Sequence, residues 1–165
     1  MPATRLSPVI TATAQWLIRS FPAHGGALAA ALCEIQARQA VTVAARLRYP
    51  TAMDAELVGL AGPGGSGALD RITGADDHEG EPWRTWVDEV VASWAACLLS
   101  DAGLATRAVA ALGGGTGEYR RLLAPDATDV RAAALLHHPD LLTPVTHLHH
   151  ASLLSRLDPN SALAA

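Results

Sequence analysis

The sequence contains no lysine, so its twelve permanently basic side chains are all arginines. These arginines are scattered, and no basic run extends beyond Arg120 and Arg121. Acidic residues outnumber them, which gives a formal net charge of −4 with histidine neutral. Nucleic-acid-binding domains usually carry a basic patch or stripe. Because this chain has none, we expect no nucleic-acid partner.

Cysteine is also scarce, since Cys33 and Cys97 are the only two. Their spacing fits neither a zinc site nor a disulfide framework, so we expect buried free thiols. No window reaches the ~18 consecutive apolar residues of a membrane span. The N-terminal stretch MPATRLSPVI lacks the apolar run of a signal peptide. We therefore expect a protein of the reducing cytoplasm with no membrane partner.

Convincing strand pairs are missing, whereas helical patterns fill most of the chain. Alanine, the residue with the highest helix propensity, is abundant. Serine or threonine followed by proline, at Ser7-Pro8 and Thr143-Pro144, is typical of a helix start. We predict an all-α fold, a compact bundle of about six to eight helices forming one domain over residues 1–165. A flexible Gly-rich connection is expected near residues 62–80.

Apolar side chains recur at helical spacing in several segments. The best amphipathic pattern predicts one helix that starts at Glu81-Pro82 and brings Trp83, Trp86 and Trp94 into the core. A short helix starting at Thr51 has the apolar stripe Met53, Leu57 and Leu60. A long helix over residues 27–48 is expected to bury Leu28, Ala31, Leu32, Ile35, Val43 and Leu47.

The glycine-rich stretch contains G-x-G-x-x-G at Gly62, Gly64 and Gly67 and also the beginning of a phosphate-binding loop. A phosphate-binding loop next needs lysine and then serine or threonine, but Ala68 and Leu69 stand at those positions. A dinucleotide fold needs a preceding strand, and none is predicted. We interpret the stretch as a linker. No sequence motif supports nucleophilic catalysis either.

Histidine is concentrated near the C-terminus, where five of the seven histidines lie within residues 137–150. On a helix starting at Pro144, His147 and His150 share one side, and imidazole is a good ligand for zinc, copper or nickel. His137 and His138 end the preceding helix, and Asp140 is a possible oxygen ligand. The alternatives are favourable contacts with helix C-termini and a pH-sensitive contact.

Leucines occupy several sides of the last predicted helix, at Leu148, Leu153, Leu154 and Leu157. Such a helix is either deeply buried or covered by another chain. We therefore predict a non-catalytic binding or accessory module that acts through helix-mediated protein–protein assembly, with a protein partner or as a homodimer, and without a cofactor. The alternative is a metal- or small-ligand-binding protein using the histidine cluster with Zn, Cu or Ni. An enzyme is the third hypothesis, with no nameable reaction.

Overall fold

The computed structural model describes residues 5–74 and 81–158, and within these ranges the chain forms nine α-helices, two 3₁₀-helices and no strand. The all-α prediction is confirmed, with more helices than expected. In chain order the α-helices are α1 (Ser7–Ser20), α2 (Ala27–Arg48), α3 (Ala52–Ala61), α4 (Gly67–Thr73), α5 (Glu89–Ser100), α6 (Ala102–Ala111), α7 (Arg120–Leu123), α8 (Ala127–Ala132) and α9 (Pro139–Leu157). The 3₁₀-helices are Pro82–Trp86 and Thr116–Tyr119.

Helix α5 lies at the centre of the bundle. Its residues 91–99 are all buried, and it contacts α9, α2, α6 and α1. Alanines at positions 92, 95 and 96 leave room for neighbouring helices to approach closely. Helix α5 therefore helps to position the four helices that pack directly on it.

Asp88 determines where α5 begins. Its Oδ1 accepts hydrogen bonds from the backbone N–H groups of Val90 and Val91, at 2.9 and 3.1 Å. Its Oδ2 accepts one from the Tyr49 hydroxyl. Such a cap satisfies N–H groups that have no partner inside the helix. Helix α5 is thus fixed at Glu89 by a side-chain cap.

The prediction of one helix starting at Glu81-Pro82 is therefore wrong. Residues Pro82–Trp86 form a separate 3₁₀-helix. The backbone is extended at Val87 and Asp88, which separate this helix from α5. Because the tryptophan stripe is interrupted, Trp83 and Trp86 are only half-buried. Trp94, within α5, is the one of the three that enters the core.

Part of the predicted glycine-rich connection is helical, since α4 lies inside it. Asp70 of α4 is 4% exposed and holds the segment to its neighbours. Its carboxylate accepts hydrogen bonds from the Trp16 indole at 2.9 Å, the Ser66 hydroxyl at 2.8 Å and the Arg84 guanidinium at 2.5 Å. The connection is thereby anchored to α1 and to the first 3₁₀-helix. Residues 75–80 lie outside the described part.

The last helix begins at Pro139, five residues before the predicted start at Pro144. Pro144 lies inside α9 on its exposed side, where its missing N–H removes one hydrogen bond of the helix. The buried residues Leu142, Val145 and Leu153 face the bundle, and α9 packs mainly against α5. One side of the leucine-rich terminal helix is therefore covered by the chain itself, whereas Leu141 and Leu154 remain 44% and 37% exposed.

Candidate functional site

Helix α9 is kinked at His149, which has non-helical backbone angles of φ −137° and ψ 22°. The His149 N–H donates to the Ser93 hydroxyl of α5 at 3.0 Å. The Trp94 indole donates to the His149 carbonyl at 3.1 Å. The His149 imidazole lies 2.6 Å from a Glu89 carboxylate oxygen. A side chain inserted into the ladder is a known cause of helix kinks.

A cleft of about 320 Å³ lies between this kinked region and the α5–α6 junction. His147 and His150, the pair singled out in the sequence, both line it. The α9 wall consists of Pro139, Thr143, Thr146, His147 and His150, and the opposite wall of Cys97, Ser100, Asp101 and Leu104. The tertiary structure therefore keeps the two imidazoles on one surface despite the kink between them.

The chemistry of this cleft is acidic and imidazole-rich. His147 and His150 are exposed, and neither side chain makes a hydrogen bond or ion pair within residues 5–74 and 81–158. Asp101 caps α6, and its Oδ1 accepts from the Leu104 N–H at 3.0 Å. No arginine is among the lining residues. The cleft therefore offers nitrogen and oxygen donors to a cation.

The Cys97 thiol lines the cleft but is not an activated nucleophile. The residue is 2% exposed, and its Sγ donates to the Thr146 carbonyl at 3.6 Å. Burial raises the pKa of this thiol to about 11. Because the thiolate is the reactive form, Cys97 is a poor nucleophile near neutral pH.

His137 belongs to a different part of the structure, a buried polar network around Gln36. The Gln36 amide nitrogen donates to the carbonyls of Asp129 and Leu32, at 2.9 and 3.2 Å. Its oxygen therefore faces His137 Nε2, 2.7 Å away, which assigns the proton to that nitrogen. Burial lowers the pKa of His137, outweighing the opposing effects of the Leu99 backbone and Asp129. His137 is a structural residue that does not join the His147–His150 pair.

The remaining two sequence candidates also lie away from the pair. His138 is the N-cap residue of α9 and Asp140 lies in its first turn; both are exposed, and neither lines the cleft. Within the described residues, no three His, Cys, Asp or Glu side chains are arranged to hold a metal ion. The predicted five-residue ligand set is thus reduced to two imidazoles that share a cleft.

A second surface stands out on α3, where the apolar stripe faces solvent. Met53, Leu57 and Leu60 are 70%, 58% and 86% exposed. With 3.6 residues per turn they fall within an arc of about 60°. Ala55 and Val58, on the opposite side, are the residues that α3 buries. The apolar stripe identified in the sequence is therefore exposed to solvent.

Helix α2 also exposes some of the apolar residues that the sequence predicts to be buried. Leu32, Val43 and Leu47 are buried as predicted, whereas Ala31 is exposed, Leu28 is 70% exposed and Ile35 is 40% exposed. Leu28 and Leu32 line a shallow groove of about 190 Å³ between α2 and α8. This groove is smaller than the His147–His150 cleft and lacks its density of polar groups.

No protein-family model, curated protein or solved structure matches this chain. Among the described residues, no helix has the length and apolarity needed to cross a membrane. Two surfaces of the described structure are candidates for binding, the exposed stripe of α3 and the His147–His150 cleft.

Proposed function

We propose that this protein is an assembly module that pairs with a second copy of itself through α3. The observation that carries the proposal is the exposed stripe of Met53, Leu57 and Leu60. Contiguous apolar patches on a soluble domain commonly mark interaction sites. Spacings of four and three residues match the seam of a two-helix pair.

The N-terminus of α3 supports its use as a preformed docking helix. A reciprocal capping box joins Thr51 and Asp54 at the N-terminus, so the helix is well started without help from a partner.

The charges beside the stripe favour a second copy over a strongly charged partner. Glu56 pairs with Arg5, both about half exposed. Hydrogen bonds from Thr51 hold the pKa of Asp54 below its usual range. Of these two acidic residues only Glu56 has its charge balanced by a cation, whereas Asp54 stays an anion because its hydrogen bonds stabilise the charged form. In an antiparallel pair centred on Leu57, Asp54 lies opposite the uncharged C-terminal turn of the other copy, so like-charge repulsion across the seam is small.

The geometry predicts a moderate affinity. A ten-residue helix pair buries less than the roughly 1,600 Å² of a standard protein interface. We therefore expect a reversible dimer whose population rises with concentration over the micromolar range. The fold does not depend on this contact because α5 already organises the core.

Sedimentation of the untagged protein over a concentration series tests the proposal. Leu57→Glu and Leu60→Glu are expected to weaken dimerisation at least tenfold, because each places a charge in the apolar seam. Leu28→Glu is the matched control, since it changes an equally large apolar side chain that is 70% exposed on α2. A wild-type protein that remains monomeric throughout, or a dimer lost only in Leu28→Glu, contradicts the proposal.

Cross-linking provides a second, geometric test. In an antiparallel pair centred on α3, Leu57 lies near the two-fold axis and meets its own copy. Leu57→Cys is therefore expected to form an intersubunit disulfide under mild oxidation, whereas Leu28→Cys is not. The native cysteines do not interfere because Cys33 and Cys97 are both buried. Their unpaired state also supports the proposal of a reducing, cytoplasmic location.

A further inference from the structure

We propose that the cleft between α9 and the α5–α6 junction binds a divalent transition-metal ion through His147 and His150. This site is separate from α3 and does not depend on the proposed assembly. The lining residues indicate which ligand charge is favoured, because they include Asp101 and no arginine. A cation is therefore favoured over an anion.

The contrast among the histidines identifies which of them are free to bind. His137 is bound to Gln36, and His149 to Glu89. His147 and His150 have no side-chain partner within residues 5–74 and 81–158, yet both face the same cleft. His137 and His149 each use Nε2 in a contact within the protein, whereas the rings of His147 and His150 are open to solvent. Two accessible imidazoles on one wall of a cleft are available to bind a ligand.

The identity of the donors selects the class of metal. Imidazole nitrogens suit zinc, copper and nickel, whereas magnesium and calcium prefer oxygen ligands. The two imidazoles supply the protein nitrogens, and Asp101 supplies negative charge from the other wall. Water or a small ligand completes the coordination, for which a cleft of about 320 Å³ leaves room. Such an open site gives exchangeable binding instead of a closed structural zinc centre.

The kink at His149 holds this pair in place. Ser93 and Trp94 of the buried helix α5 bind the His149 N–H and carbonyl, between the two proposed ligands. The α9 wall is thereby fixed to the most deeply buried helix of the protein. Ligands carried on fixed backbone lose less conformational freedom on binding.

Calorimetric titration of the untagged protein with zinc chloride tests the site. His147→Gln and His150→Gln are each expected to lower zinc affinity at least tenfold. His138→Gln, which removes an exposed histidine outside the cleft, is expected to change nothing. All three positions are exposed, so unchanged circular dichroism and thermal midpoints will separate ligand loss from unfolding.

Electron paramagnetic resonance of bound copper(II) counts the nitrogen ligands directly. We expect coupling to two imidazole nitrogens, reduced to one in either single variant. An equal loss of affinity in His138→Gln, or a spectrum without two nitrogens, overturns the proposal and indicates an adventitious ion only. Asp101→Asn retains a good helix cap but removes the charge, so affinity is expected to fall several-fold. Unchanged affinity in that variant overturns the contribution of Asp101.

Discussion

The indole N–H of Trp94 donates to the carbonyl of His149 at 3.1 Å, although the two residues are 55 positions apart in the chain. The same indole also lies 3.0 Å from the Ser152 hydroxyl. A tryptophan from the centre of the core thus binds the backbone of α9 where that helix is kinked. The contact joins the best-buried helix to the surface that carries His147 and His150.

Replacing Trp94 with phenylalanine removes this contact while keeping an aromatic ring. We expect a loss of about 1–3 kcal/mol in the free energy of unfolding, because the His149 carbonyl loses a partner and the smaller ring leaves space. Urea denaturation measures the change. Trp83→Phe is the control, since Trp83 is half-buried and its indole donates no hydrogen bond to any residue within 5–74 and 81–158. An equal loss in both variants contradicts the assigned role.

Asp70→Asn tests the buried hub that anchors α4. Removing the charge leaves the Arg84 guanidinium, only 13% exposed, without its anion. We therefore expect the free energy of unfolding to fall by about 3 kcal/mol, as measured by urea denaturation. Glu81→Gln is the matched control because its pair with Arg19 is far more exposed, and it is expected to cost less than about 1 kcal/mol. Similar costs in the two variants contradict the hub interpretation.

The same aspartate contributes to acid sensitivity. Burial alone raises the pKa of Asp70, but hydrogen bonds from Trp16, Arg84 and Ser66 outweigh it and lower the pKa overall. A folded pKa below the unfolded one means that the stabilisation is present above about pH 4 and is lost as the pH falls further. Urea titrations at successive pH values should show a shallower acid loss in Asp70→Asn than in the wild type.

His137 predicts a second pH dependence, in a different range. Burial lowers its pKa in the folded state, so the unfolded chain takes up the proton more readily. The free energy of unfolding is therefore expected to fall as the pH drops below about 6.5. His137→Gln should flatten this part of the profile, whereas the exposed control His138→Gln should retain it. A parallel profile in both variants would remove His137 as the cause.

The two thiols are expected to resist alkylation in the folded protein. Cys33 and Cys97 are 1% and 2% exposed, and burial raises the pKa of both, that of Cys97 to about 11. Iodoacetamide at pH 8 should modify neither residue within the time that labels both in urea, as followed by mass spectrometry. Rapid native labelling of Cys97 would show that the cleft admits small molecules to its thiol.

Local sequence patterns were sufficient to predict the helical class and several boundaries. The short helix starts at Thr51 as predicted, and the capping box that fixes this start joins Thr51 to Asp54 within one turn. The sequence pattern does not predict the cap at Asp88, because Trp83, Trp86 and Trp94 keep a helical spacing across that residue. The stripe pattern predicts one continuous helix, but the cap bonds to Val90 and Val91 start α5 at Glu89.

The proposed surfaces show the same division between local pattern and tertiary contact. Periodicity determines that Met53, Leu57 and Leu60 share one side of a helix, and that His147 and His150 are neighbours. It carries no information on whether another helix covers that side. Only the packed structure leaves the α3 stripe in solvent and holds the His149 kink through Glu89, Ser93 and Trp94. Those contacts join residues 55–60 positions apart, so they depend on how α5 and α9 pack and not on the sequence around either residue.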